Sequence, residues 1–374
     1  MSLSIRQSLD DFRRDFIGSN IDPNLRRGRG AISNSSGRYE KLSRTTLHDG
    51  WDVAPEPQPL KTDVTLERAK SIITRNSSPD LSFDRSVNPY RGCEHGCAYC
   101  YARPTHAYMG LSPGLDFETK LFAKTNAAEL LERELSAPGY EPRTLAIGTN
   151  TDPYQPIEKT HGIMRELLQV LSRMQHPVGI VTKSGLVTRD IDILAPMAAK
   201  RLAKVAISLT TLDPRLARQL EPRAATPQKR LATIRQLSNA GIPVTVLVAP
   251  VIPGINDSEI EAILAAAKAA GATQAGYVLL RLPLEVRDIF REWLMENAPG
   301  KLKHVMSLVQ STRGGKDYDA SWEQRQTGTG PFAWMVGRRF QMAADRLGFT
   351  RKGVKLSTDL FTKPVQSGAQ LSLL

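Results

Sequence analysis

Arg91-Gly-Cys93-Glu-His-Gly-Cys97-Ala-Tyr-Cys100-Tyr101 contains all three cysteines of this 374-residue chain. Thiols kept for packing would be scattered through apolar segments, and thiols kept for disulfides would usually be even in number and spread apart. Three at C-x3-C-x2-C, in a loop bracketed by glycines, point to a metal or cluster site, and soft sulfur donors favour zinc, Cu(I) or iron–sulfur. Structural zinc takes four protein ligands, and iron–sulfur clusters are generally held by four cysteines. A set of three leaves one position over. Either another side chain fills it, with His95 or His106 at hand to complete a zinc site, or it stays open to a substrate or cofactor.

Such a loop needs a scaffold to hold it. From about residue 83 the chain alternates apolar, turn-bounded runs with helical periodicity. The runs are Thr144–Gly148, Val178–Thr182, Val205–Leu209, Val244–Val248 and Tyr277–Leu280, with one more strand leading into Cys93. Helix-like stretches at Met164–Met174, Thr226–Ala240 and Ser258–Ala270 lie between them. Thr226-Pro and Asp257-Ser-Glu read as helix starts, and Gly241 and Gly271 as C-terminal caps. Alternation of this kind predicts an α/β fold with a parallel sheet of about six βα units, short of an eight-fold barrel.

Ligands of parallel α/β folds bind beyond the carboxyl ends of the strands. Polar residues and glycines gather at those ends here: Gly148-Thr-Asn-Thr-Asp152-Pro-Tyr154-Gln-Pro-Ile-Glu158, Thr182-Lys183-Ser184, Ser208 and Thr210, Pro250 to Asp257, and Arg281.

The cysteine spacing, with Tyr99 before the last thiol, resembles the cluster loop of the radical S-adenosylmethionine superfamily. Asn88 to Tyr101, Thr151 to Glu158, Thr182 to Asp190, Glu221 to Pro227 and Val248 to Asp257 are similar to the branch that includes spore photoproduct lyase. The resemblance implies an open (β/α)6 partial barrel of the TIM type. It also implies a [4Fe-4S] cluster held by Cys93, Cys97 and Cys100, with the fourth iron chelated by the amino and carboxylate groups of S-adenosylmethionine. Reductive cleavage then gives a 5′-deoxyadenosyl radical that abstracts a substrate hydrogen, and a flavodoxin- or ferredoxin-type protein is the expected reductant. Carried over by position, Tyr99 packs by the cluster and adenine, and Gly148, Thr149, Asn150 and Thr151 lie where the methionyl amino group is contacted. Lys183 neighbours the methionyl carboxylate, and Ser208 bonds the ribose or carboxylate. Several photoproduct lyases carry a further cysteine near the end of the second strand as hydrogen donor. This chain has Asn150 and Thr151 there, which leaves Tyr154 and Tyr277 as candidate donors by position.

Three segments are expected: a basic, largely irregular N-terminal arm over 1–80, the barrel core over 81–300, and a C-terminal extension over 301–374. No apolar run reaches the ~18 residues of a membrane span, and the N-terminus has no apolar leader core, so a cytoplasmic enzyme is expected. Net charge of +12 makes nucleic acid the first candidate partner. Arg215, Arg218, Arg223, Lys229, Arg230 and Arg235 form a basic stretch, and Arg338-Arg339 and Arg351-Lys352 add charge, although aromatic interleaving for base stacking is sparse. The leading expectation is thus a lyase-like radical enzyme acting on an unidentified substrate, with a nucleic-acid base the favoured class. The rival from another class is a nucleic-acid-binding protein with a structural iron–sulfur or zinc site.

Overall fold

The computed structural model describes residues 20–40, 59–351 and 353–363. The N-terminus read for a leader, much of the expected arm (residues 1–19 and 41–58), Lys352 and residues 364–374 lie outside them.

The main sheet has seven strands, and six of them, β3 (Arg85–Val87), β6 (Leu145–Ile147), β7 (Val178–Thr182), β8 (Ala203–Ser208), β9 (Val244–Val251) and β10 (Gln274–Leu279), run parallel in the order β10-β9-β8-β7-β6-β3. Short β2 (Ile73–Arg75) pairs antiparallel outside β3. Among the described residues no strand pairs beyond β10 or β2, and the six parallel strands form a partial barrel. A separate three-stranded sheet joins β1 (Asp63–Glu67), β5 (Lys120–Lys124) and β4 (Tyr90–Arg91).

Register explains the layering, because residues paired in a parallel ladder point to the same face. Val87, Ile147 and Ile180 are in register, as are Val205 with Val244 and Ile207 with Val246. All are at most 1% exposed and belong to the core shared with the helices. The alternate residues Gly179, Val181, Ala206, Thr245, Leu247 and Gly276 are only half-buried, so the inner face of the sheet borders an accessible lumen.

Around the outside run α1 (Asp116–Thr119), α2 (Ala127–Ser136), α3 (Glu158–His161), α4 (Ile163–Arg173), α5 (Ile191–Ala199), α6 (Pro214–Leu220), α7 (Pro227–Asn239) and α8 (Ile260–Ala269). Thr226 caps α7 by accepting the Lys229 amide, with Pro227 in the first turn. At Asp257 a 3-10 turn over Asp257–Glu259 opens the expected helix and runs into α8, while the Asp257 carboxylate accepts the Gly254 amide at 2.7 Å. Then follow α9 (Val286–Asn297), α10 (Leu302–Ser311), α11 (Gln324–Thr327) and α12 (Gly330–Arg346). Helix α12 packs on α8 and β10. Residues 353–363 cross the amino ends of the strands, where Lys204 Nζ donates to the Val354 carbonyl and the Ser357 and Thr362 amides donate to Arg201 and Met174.

The described part of the segment expected to be an arm is docked on the body. Arg26, Arg29 and residues 30–33 are buried. The Gly30 and Ala31 amides donate to the two oxygens of the Glu118 carboxylate at 2.9 and 2.8 Å, and Arg29 reaches the Glu118 carbonyl. Its polar and glycine-rich composition serves a backbone that must lie directly against the cysteine loop.

Candidate active site

The cysteine loop follows β4 and has no regular structure of its own, so its shape is held from outside. Gly92 and Gly96 take φ of +73° and +65°, the left-handed region that glycine enters without a Cβ penalty. Beneath the loop Arg103 is fully buried. It donates to the Cys97 carbonyl through Nε and Nη2, to the Pro113 and Gly114 carbonyls, and to Glu118. Gln155 clasps the other side: its Oε1 accepts the Glu94 amide at 2.9 Å and its Nε2 donates to the Gly92 carbonyl at 3.1 Å.

The three thiols lie within electrostatic reach of one another. Burial pushes all three up, and Cys93 is raised further by Asp152 and the other two thiols; Lys183 pulls Cys97 and Cys100 back. Bare thiols in this setting stay protonated, so a bound metal would stabilise thiolates that the site alone does not. Among the described residues no three His, Cys, Asp or Glu groups converge as one metal ion requires. The two histidines named as a fourth zinc ligand are turned elsewhere. His95 Nδ1 is 3.4 Å from Asp152 Oδ2. His106 Nε2 is 2.9 Å from the Lys120 carbonyl, between Phe117 and Phe122, and burial lowers it to about 4.

The strand ends meet this loop. Lys183 Nζ donates to Ser208 Oγ at 3.1 Å and sits 5.9 Å from the Tyr99 ring centroid. The Tyr99 hydroxyl bonds Glu221, which also accepts Thr210 and pairs with Arg230. Burial alone would raise the Glu221 carboxyl, but Arg230, Lys183 and the Tyr99 hydroxyl bring it down to about 2. At the end of β6, Gly148 has φ of +91° and a Cβ there would lie 2.1 Å from the Val181 carbonyl oxygen. Asn88 Oδ1 accepts the Asn150 amide at 3.0 Å, Thr151 Oγ1 donates to the Tyr90 carbonyl, and the Thr149 carbonyl accepts the Tyr101 hydroxyl. Asp152 ties loop to strand, because it takes the Thr182 hydroxyl and the Lys183 amide and stands 3.4 Å from His95 Nδ1. Its burial would raise it, but those partners hold it near 2.

Cys93, Cys97, Cys100, Tyr99, Gly148 to Thr151, Lys183 and Ser208 are therefore gathered at the carboxyl edge of the sheet. The side chains of Tyr154 and Tyr277 are turned away from this group. The Tyr154 phenol is buried and donates to Asp190 at 3.1 Å, within an ionic group that Arg189 extends to Glu158. Tyr277 is in register with Val248 and so points outward, with its ring 4.8 Å from Phe340 of α12. The basic stretch around α7 is also broken up: Arg230 is 2% exposed and spent on Glu221, and Arg223 pairs with Glu94. Glu221, Arg230, Asn88, Asp152 and Gln155 do not stand out from the sequence as site residues. Asp152 and Gln155 show only as polar residues beyond a strand, Arg230 only as part of the basic stretch, and Asn88 and Glu221 only by their place inside the quoted motifs.

This donor set fits the group implied by the spacing: three soft ligands on one rigid loop, a cation and a hydroxyl facing them from the strand ends, and an accessible lumen alongside. Residues 87–267 match the family model of the Radical SAM superfamily. An uncharacterised Mycobacterium tuberculosis protein is 42% identical over 232 residues, 62% of this chain and 68% of that one. A Radical SAM Nalpha-GlyT isomerase of Pseudomonas phage M6 is 26% identical over 305 residues, covering 73% of this chain and 61% of that protein. A spore photoproduct lyase has the same fold, with a TM-score of 0.55 at 13% identity, over 76% of this chain and 80% of that one. The chain belongs to the Radical SAM superfamily. It is a radical SAM enzyme, and its cofactors are those of the family, a [4Fe-4S] cluster and S-adenosylmethionine. Among the described residues no helix is long and apolar enough to cross a membrane.

Proposed function

We propose that the protein is a lyase-like radical enzyme whose substrate is a nucleic-acid base, with Cys93, Cys97 and Cys100 ligating three irons of the cluster. When bound, the cluster and S-adenosylmethionine supply one-electron cleavage of the sulfonium and a 5′-deoxyadenosyl radical for hydrogen abstraction. The residues around them position and shield. Lys183 places a cation for the methionyl carboxylate, and Ser208, bonded to the same nitrogen, orients it. The Gly148–Thr151 turn offers backbone acceptors to the amino group, and Asn88 keeps that turn in shape. Tyr99 walls the adenine side, its hydroxyl anchored on Glu221.

The observation that carries this reading is the approach of Lys183 to both Tyr99 and Ser208, which joins the thiol loop to the strand ends across the lumen. A purely structural cluster needs no such junction. The substrate class draws on the chain's net charge of +12 and on relatives: a phage protein named for a GlyT substrate and a spore photoproduct lyase complexed with dinucleoside spore photoproduct, with a TM-score of 0.54. In this reading residues 81–300 are the catalytic core, residues 301–374 close one side of it, a flavodoxin- or ferredoxin-type protein delivers the electron, and a reducing cytoplasm keeps the thiols free.

The test is anaerobic. The protein is reconstituted with iron and sulfide, reduced and given S-adenosylmethionine, and 5′-deoxyadenosine is assayed beside a Cys97→Ala variant. Product from the wild type and none from the variant is expected. A fully loaded cluster that yields no product counts against the proposal.

A further inference from the structure

Arg281 leaves the carboxyl end of β10 and lays its guanidinium 4.8 Å from the ring centroid of Tyr101, the residue after the third thiol. Its described polar contact is one long bond, Nη2 to the Tyr318 hydroxyl at 3.4 Å, and its Nε is buried with no partner. Behind it Arg313 is 2% exposed and spends itself on the carbonyls of Leu279, Leu280 and Gln324, again with Nε unpartnered. Arg325 stands in the same electrostatic neighbourhood but is held by a bidentate pair with Asp80, and Asp319 lies within reach of Arg313.

Three guanidinium groups thus share one electrostatic neighbourhood with two carboxylates, Asp80 within reach of Arg281 and Asp319 within reach of Arg313, and among the described residues only Arg325 has a carboxylate in direct contact. Crowding like charges in partly buried surroundings is costly unless an anion joins them. The planar fork of Arg281 suits a bidentate acceptor such as phosphate, and its exposed partner Tyr101 gives the same spot an aromatic face. These residues come from three separate parts of the chain, so the site is assembled by the C-terminal extension folding over the strand end.

We propose that Arg281, backed by Arg313 and Arg325, forms an anion site beside Tyr101 that takes a phosphate ester of the substrate. The proposal rests on the nucleic-acid reading above and narrows it: the phosphate flanking the reacting nucleoside is held at the carboxyl end of β10, beside Tyr101.

The test uses the cluster-loaded chain and two probes, a fluorescein-labelled oligothymidylate 12-mer followed by anisotropy over a salt series, and thymidine 5′-monophosphate followed by calorimetry. Arg281→Gln should weaken binding about tenfold, as loss of a charge-assisted bond does, and should flatten the salt slope by about one phosphate contact. Arg281→Lys should fall between, because it keeps the charge and loses the fork. Since Arg281 makes few contacts within the fold, both variants should load iron like the wild type. Arg281-dependent binding of the 12-mer supports the site on a polynucleotide. Arg281-dependent binding of the mononucleotide alone supports the site while removing the polynucleotide substrate. Binding of neither probe, binding indifferent to Arg281, or a loss confined to S-adenosylmethionine affinity overturns the proposal.

Discussion

Gly30 lies so close to Gly96 that a Cβ on Gly30 would sit 1.6 Å from the Gly96 carbonyl oxygen. The N-terminal segment is thus a wall of the cysteine loop, lying directly on its backbone. Gly30→Ala cannot be accommodated without moving one of the two backbones. We expect a loss of about 2 kcal/mol, weaker hydrogen-exchange protection at the Gly30 and Ala31 amides, and faster loss of iron. Unchanged protection at those amides would mean that the docking seen here is not what holds the loop.

Gln155 makes one bond to each flank of the loop at Gly92 and Glu94, and it is fully buried. Gln155→Leu leaves a buried amide and a buried carbonyl without partners. The cost should be about 3 kcal/mol in urea unfolding, with iron stoichiometry falling below that of the wild type after identical reconstitution.

Lys183 is tied to Ser208, and its charge reaches two of the three thiols. In the cluster-loaded protein Lys183→Gln should weaken S-adenosylmethionine binding roughly tenfold in equilibrium dialysis, and Lys183→Arg should recover part of it. Equal affinities in all three proteins would remove Lys183 from the carboxylate role.

Glu292 of α9 accepts the Ser33 hydroxyl, and burial raises its carboxyl to about 7, with Asp288 adding to the rise and Arg103 and Arg26 opposing it. An acid whose folded pKa lies above its unfolded value binds more protons when folded, so stability falls as pH rises from about 4.5 to about 7. The full penalty, on the order of 3 kcal/mol, applies above pH 7. Glu292→Gln should therefore gain on the wild type over that window and hold a constant advantage above it, as read by urea melts at pH 5, 6, 7 and 8. Parallel curves at all four values would show an ordinary carboxyl at this position.

Much of the scaffold is legible in the chain itself. Strand β7 falls on the expected Val178–Thr182 from end to end, and α7 lies inside the expected Thr226–Ala240, because apolar runs and capping residues are local signals. The three-stranded sheet is not legible. Its β1, Asp63-Val-Thr-Leu-Glu67, alternates polar and apolar residues over only five positions and is mostly exposed, Leu66 included, and the partner that makes it a strand, Lys120–Lys124, lies far along the chain. The tyrosines show the same limit. Tyr154 lies in the loop after β6, where its phenol turns to Asp190, and in β10 a single step in register decides whether a side chain meets the lumen or the helices, with Tyr277 sharing its face with Val248.

Arg230 makes the point most sharply. As one of six basic residues it reads as surface charge, and the fold buries it against Glu221 and, through that carboxylate, links it to Tyr99. By itself the sequence determined the chemistry of the thiol loop, since the donors and their spacing lie within eight consecutive residues, and it determined the alternation that builds a parallel sheet. Only the tertiary structure decided which residues brace and border that loop. Asn88, Gln155 and Arg281, which hold the Gly148–Thr151 turn, the loop backbone and the Tyr101 ring, are separated by up to nearly two hundred positions, and they meet because parallel pairing and helix packing close long loops that no local pattern encodes.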